Sequence, residues 1–123
     1  MSWVTVENKL IVDGEVAAVF PYPVRVAKEI QGTVVVILDL PHGVCFPRNA
    51  YGYVLSEKHL WQIEKYYPAS DSELLASDPY IAVLVTDFTP QEVPGQVVLW
   101  TWLCIILYVD LRSGKILKTF CSK

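Results

Sequence analysis

Gln96-Val-Val-Leu-Trp100-Thr-Trp-Leu-Cys-Ile105-Ile-Leu-Tyr-Val-Asp110 decides how this chain must fold. Between Val97 and Val109 only Thr101 interrupts the apolar run. The run is too short for a membrane-spanning helix, which needs about 20 residues. Its β-branched and aromatic side chains favour a buried strand. Side chains alternate across a strand. One face therefore carries Val97, Leu99, Thr101, Leu103, Ile105, Leu107 and Val109. The other carries Val98, Trp100, Trp102, Cys104, Ile106 and Tyr108. Both faces are apolar, so a sheet with one side in water cannot hide this segment. Either the sheet curls into a barrel or sandwich, or a second subunit covers it. The segment also exceeds the usual strand length, so a bulge, or a bent strand pair, is expected inside it.

Upstream, Thr33-Val-Val-Val-Ile-Leu-Asp-Leu40 is nearly continuous and β-branched. It reads as a central strand buried on both faces. Lys9 to Phe20 reads as a hairpin, because Asp13-Gly14 between apolar runs suits a two-residue turn with positive φ at both positions. Pro21 and Pro23 end its second strand. Val24 to Gln31, with Ala27, Lys28 and Glu29, reads as one or two helical turns or a polar connection. Val44-Cys-Phe46 reads as a short edge piece. Tyr51–Leu55 and Leu60–Glu64 flank Ser56–His59 as a hairpin with a four-residue loop. Ser72–Ala76 could open a short helix, with Asp71 or Ser70 as its cap. Tyr80–Phe88 is a further strand and Thr89–Gly95 a loop. Leu111–Gly114 turns the chain into a last strand, Lys115–Phe120.

The expected class is mainly β, with β-rich α+β as its nearest variant. The tight connections imply an antiparallel meander of about eight or nine strands and at most two short helices. The sheet would be curled, closed into a barrel or stacked as a sandwich. All 123 residues fit one domain, which can bury a core without disulfides or metal. Tyr53–Trp61 and Tyr108–Leu117 echo one another as strand, polar turn, cation and strand, a likeness any two hairpins share.

Composition narrows the function. The chain is 53% hydrophobic and 19% charged, with a mean hydropathy of +0.35, which excludes disorder. Thirteen acids against ten bases leave no basic footprint for nucleic acid. The first residues lack a basic stretch leading into an apolar one, so no signal peptide is expected. The three cysteines, Cys45, Cys104 and Cys121, are then expected as thiols in the cytoplasm. No membrane association is expected.

Chemistry-bearing patterns are sparse. His42 and Cys45 are three apart, but a zinc site needs three or four ligands, and no second close pair exists. Asp39 and Asp87 each end an apolar run, and Asp39 suits a turn before Pro41. No phosphate-binding glycine loop and no nucleophile elbow occurs. Catalytic, metal-binding and cofactor-binding residues are therefore expected to be none, and no cofactor is expected. Arg48-Asn49-Ala-Tyr51 is the one notable polar cluster: a guanidinium and an amide beside tyrosines could read a carboxylate or a polar partner. The plainer expectation is that Asn49 bonds its own turn and Arg48 is exposed.

Asn49-Ala-Tyr-Gly-Tyr-Val-Leu-Ser-Glu-Lys-His-Leu-Trp-Gln-Ile-Glu64, followed by Tyr108-Val-Asp-Leu-Arg-Ser-Gly-Lys-Ile-Leu117, resembles a group of small uncharacterised bacterial proteins of cyanobacterial type. The resemblance covers about the C-terminal two-thirds. It rests on the aromatic strand, Leu60-Trp-Gln-Ile-Glu64, and the Ser113-Gly-Lys115 turn; Ser56–His59 departs from a glycine turn. It implies a fold and no catalytic residues.

The function expected from these readings is a non-enzymatic interaction module. It would self-associate, as a dimer, through an apolar aromatic sheet face carrying Trp61, Trp100, Trp102 and Tyr108. A separate protein partner is compatible with the same face. The second expectation is a small-ligand-binding barrel or sandwich with Trp100, Trp102 and Tyr108 lining a cavity. The third is an enzyme in which Asp39, His42, Cys45 and Arg48 meet in one cleft.

Overall fold

The computed structural model describes residues 2–41, 48–63, 85–90, 94–101 and 105–121. It contains eleven strands and no helix among the described residues. They are β1 Trp3–Val6, β2 Lys9–Val12, β3 Glu15–Val19, β4 Val24–Ile30, β5 Thr33–Leu38, β6 Ala50–Val54, β7 His59–Gln62, β8 Val85–Pro90, β9 Gln96–Thr101, β10 Ile105–Asp110 and β11 Ile116–Cys121. They form three antiparallel sheets, ordered β1-β2-β3, β4-β5-β6-β7 and β11-β10-β9-β8. None closes into a barrel. The Val44–Phe46 edge piece, the Ser72–Ala76 helix and the first part of the Tyr80–Phe88 strand lie outside the described residues. The remainder of that strand is β8, which continues to Pro90.

The middle sheet organises the molecule. All of β5 is buried, as its continuous apolar sequence requires. Alternation sends Val35 and Ile37 to one side, where they pack with Val97, Leu99, Leu107 and Val109 of the third sheet. Val34, Val36 and Leu38 go to the other side, against Leu10, Ala18 and Phe20 of the first sheet. Three layers thus share two cores. Each fully buried aliphatic side chain there contributes about 2 kcal/mol of transfer free energy. Phe20 meets Tyr51 across the second core with ring centroids 4.9 Å apart.

The deciding segment is a strand pair, β9 and β10, rather than one long strand. Val97 pairs with Val109 and Leu99 with Leu107, so directly opposed residues keep the alternation on both sides of the turn. Among the described side chains the inward face is odd-numbered, fully buried at Val97, Leu99, Leu107 and Val109.

Val24–Ile30 is neither helix nor polar connection. It is β4, the edge of the middle sheet, paired with β5. Its Arg25, Lys28 and Glu29 are charges of the kind that guard a sheet edge. Helix-forming side chains are overruled because β5 offers a full ladder and Gln31-Gly32 makes a two-residue turn, with φ of 49° and 82°. Asp13-Gly14 turns the same way, with φ of 50° and 82°. The β6–β7 loop is Leu55–Lys58, one residue earlier than expected, because Val54 pairs with His59. Trp3–Val6 adds a strand that the sequence reading lacked.

The two hairpins that echo in sequence meet in space. Glu57 of one turn pairs with Arg112 of the other at the exposed surface. Both Trp61 Nε1 and Thr33 Oγ1 donate to Leu111 O, at 2.7 and 3.2 Å.

Candidate functional site

The outward face of the third sheet runs across β9, β10 and β11 and continues onto β8, where Asp87 pairs in register with Trp100 and Thr89 with Val98. Register aligns Trp100, Ile106 and Phe120 in one row across the strands. Val98, Tyr108 and Lys118 form the adjacent row. Trp100 is 40% exposed and Phe120 56%, whereas Val98 and Ile106 are buried and Tyr108 is half-buried. Lys118 Nζ lies 5.5 Å from the Tyr108 ring centroid, a cation–π distance. Trp100 and Tyr108 were expected on such a face and are there; Trp102 lies outside the described residues. Phe120 was not singled out, although its place two residues after Lys118 in an alternating strand carried the signal.

Trp61 is not on this face. It is 4% exposed, in the core between the second and third sheets. Its indole lies against Gly52 and Gly114, and a Cβ on either glycine would overlap the ring. The indole N–H also needs a buried acceptor and has one in Leu111 O. Its surfaces are used within the chain, which leaves none for a partner.

Arg48, Asn49 and Tyr51 do come together around β6 and β7. Among the described residues, the Asn49 side chain bonds across sheets rather than within its own turn. It is 2% exposed and bridges sheets: Asn49 Nδ2 donates to Val85 O at 2.8 Å, and Val85 N–H donates to Asn49 Oδ1 at 3.0 Å. Its amide thus copies a backbone pairing onto β8. Arg48 is half-buried, and its Nε donates to Ile63 O at 2.8 Å. Gln62 Nε2 donates to Arg48 O at 2.8 Å and to the Tyr51 hydroxyl at 3.1 Å. This is a structural network rather than an open recognition site.

Burial pushes the Tyr51 phenol above its ordinary pKa of 10.0, and the nearby Arg48 charge offsets part of that rise. A raised folded pKa means that the stabilisation is complete below the unfolded value and is lost as pH rises through the folded one. Stability should therefore fall on the alkaline side of the ordinary tyrosine range, and Tyr51→Phe should flatten that fall. Denaturant midpoints measured from pH 8 upward would check this; an unchanged alkaline limb in the variant would count against it.

Two clefts of about 450 Å³ each open elsewhere. One lies where hairpin turns of the second and third sheets converge, lined by Glu29, Gln31, Ser56, Gly95, Leu111 and Arg112 among others. Gln31 Oε1 accepts from Gly95 N–H at 2.6 Å and ties two of these turns together. The other lies between the first and second sheets, beside Asp13, Glu15, Tyr53 and Lys58. Neither described lining includes Trp100 or Tyr108. The first sheet also exposes Val4, Val6, Val16 and Val19, which sequence reading did not single out.

Asp39 is exposed, and its N–H donates to Pro23 O at 2.7 Å. His42 and Cys45 lie outside the described residues, so the proposed four-residue cleft is not on view. Among the described residues, no group of three or more His, Cys, Asp or Glu is arranged to hold a metal ion. Among them, too, no helix is long and apolar enough to cross a membrane.

A family model for a domain of unknown function, DUF7957, matches residues 1–120, and the chain belongs to that family. No curated protein matches it.

Proposed function

We propose that this member of the family is a non-enzymatic interaction module that self-associates through the apolar, aromatic outer face of its third sheet. The observation that carries the reading is the cross-strand register that gathers Trp100, Ile106 and Phe120 into one row beside Val98 and Tyr108. Aromatic rings are what interface centres use, because they bury large area at little entropic cost. The phrases around Leu60–Glu64 and Ser113–Lys115 support, in this reading, a likeness to small bacterial proteins of cyanobacterial type. A reducing cytoplasm is the compartment that suits three cysteines in such a module.

Native mass spectrometry of freshly purified protein, with a denatured run beside it, tests the proposal. The expected result is a dimer without added mass, which Trp100→Ala shifts toward monomer by about tenfold or more in dissociation constant. A bare monomer up to high micromolar concentration would overturn it. The cleft among the hairpin turns favours a second reading, a small-ligand module, and a reproducible adduct on a monomer would support that instead.

A further inference from the structure

The cleft between the first and second sheets, about 450 Å³ in volume, falls in the size range of small-molecule sites. Tyr53 forms part of its wall and is only 6% exposed. Its ring packs in the core between those two sheets. Its hydroxyl, however, has no hydrogen-bond partner among the described residues. No buried side-chain polar atom among those residues lacks a partner, so this hydroxyl reaches the solvent of the cleft. A tyrosine this deeply held usually bonds within the chain. Here its donor is left for something outside it.

Two opposite charges flank the same cleft. Glu15 opens β3 on the first sheet, and Lys58 closes the β6–β7 turn of the second. Neither side chain makes an ion pair or hydrogen bond among the described residues, so their charged atoms stand more than 4.0 Å apart. Val12, Ala17 and Leu55 supply apolar wall between them. The cleft among the hairpin turns differs in this respect. There Gln31 is bonded to Gly95, Thr33 to Leu111 and Arg112 to Glu57, all within the chain.

We propose that the cleft between the first and second sheets binds a small zwitterion of the amino-acid class. Its ammonium faces Glu15, its carboxylate faces Lys58 and accepts from the Tyr53 hydroxyl, and its apolar side chain lies against Val12, Ala17 and Leu55. A ligand with one charge satisfies one flank only. A zwitterion joins both flanks through charge-assisted hydrogen bonds. The proposal gives the small-ligand reading a different cleft and does not rest on self-association.

Amide NMR titration of the full chain at neutral pH tests it, with L-leucine as the probe. Isocaproate and isopentylamine, which keep the skeleton but carry one charge each, are the controls. Leucine should give saturable shifts centred on residues 12–17 and 53–58, with a dissociation constant in the millimolar range or tighter. Each control should bind about tenfold more weakly or worse. Lys58→Gln should weaken leucine by about tenfold and leave isopentylamine unchanged; Glu15→Gln should weaken leucine similarly and leave isocaproate unchanged. Tyr53→Phe should weaken leucine while leaving the denaturant midpoint in place, because no bond within the chain is lost. Absence of saturable shifts, equal affinity for the three probes, or shifts centred elsewhere would overturn the site. Sedimentation of the same chain reads self-association separately, so either proposal can fail alone.

Discussion

Trp61→Ala is expected to lower folding stability by about 4 kcal/mol, a large share of the roughly 5–15 kcal/mol that holds a domain of this size together. The indole fills the core between the second and third sheets and supplies a hydrogen bond to Leu111 O. Removing it leaves a cavity bounded by two glycines that have no side chain with which to fill it. Gly52→Ala should also destabilise, by about 3 kcal/mol, because its Cβ would overlap the indole of its cross-strand partner. The two effects must not add. With Trp61 already alanine, Gly52→Ala meets open space and should be neutral or mildly stabilising, since alanine suits a strand better than glycine. A coupling of about 3 kcal/mol or slightly more is thus expected from chemical denaturation of the double-mutant cycle. Additive losses would mean that the ring does not sit against Gly52.

Asn49→Ala is expected to cost about 3 kcal/mol through a different mechanism. It removes little apolar area but leaves both Val85 N–H and Val85 O without their partner in a buried place. Asn49→Asp separates the two halves of that bond. A neutral carboxyl can still donate to Val85 O and accept from Val85 N–H; a carboxylate can only accept, and it faces a carbonyl. In the unfolded chain the new group titrates near about 3.9. Burial against Val85 O raises its folded value above that. Stability relative to wild type should then be best below about pH 4 and fall as pH rises through the raised folded value. Denaturant midpoints for the variant and the wild type, compared from pH 3 to pH 8, would show the gap widening with pH. A gap independent of pH would argue that position 49 does not bond Val85.

The sequence by itself determined several features that depend on local alternation and turn chemistry. Asp13-Gly14 made its hairpin because both residues tolerate positive φ. Thr33–Leu38 was legible as doubly buried because neither parity offers a polar face. The parity of Gln96–Asp110 survived the fold into two strands, because antiparallel partners point the same way. Tertiary structure decided what local pattern does not encode. Val24–Ile30 became a strand because the neighbouring ladder outweighs weak helix propensity. Trp61 went inside and Trp100 outside, although both are tryptophans on apolar strands. The difference lies in Gly52, which is opposite Trp61 in register, and Gly114, which is far from it in sequence. Asn49 became a bridge between sheets because Val85, distant along the chain, arrives beside it with both backbone groups to satisfy. Those partners exist only once three sheets have stacked, and no spacing within one strand announces them.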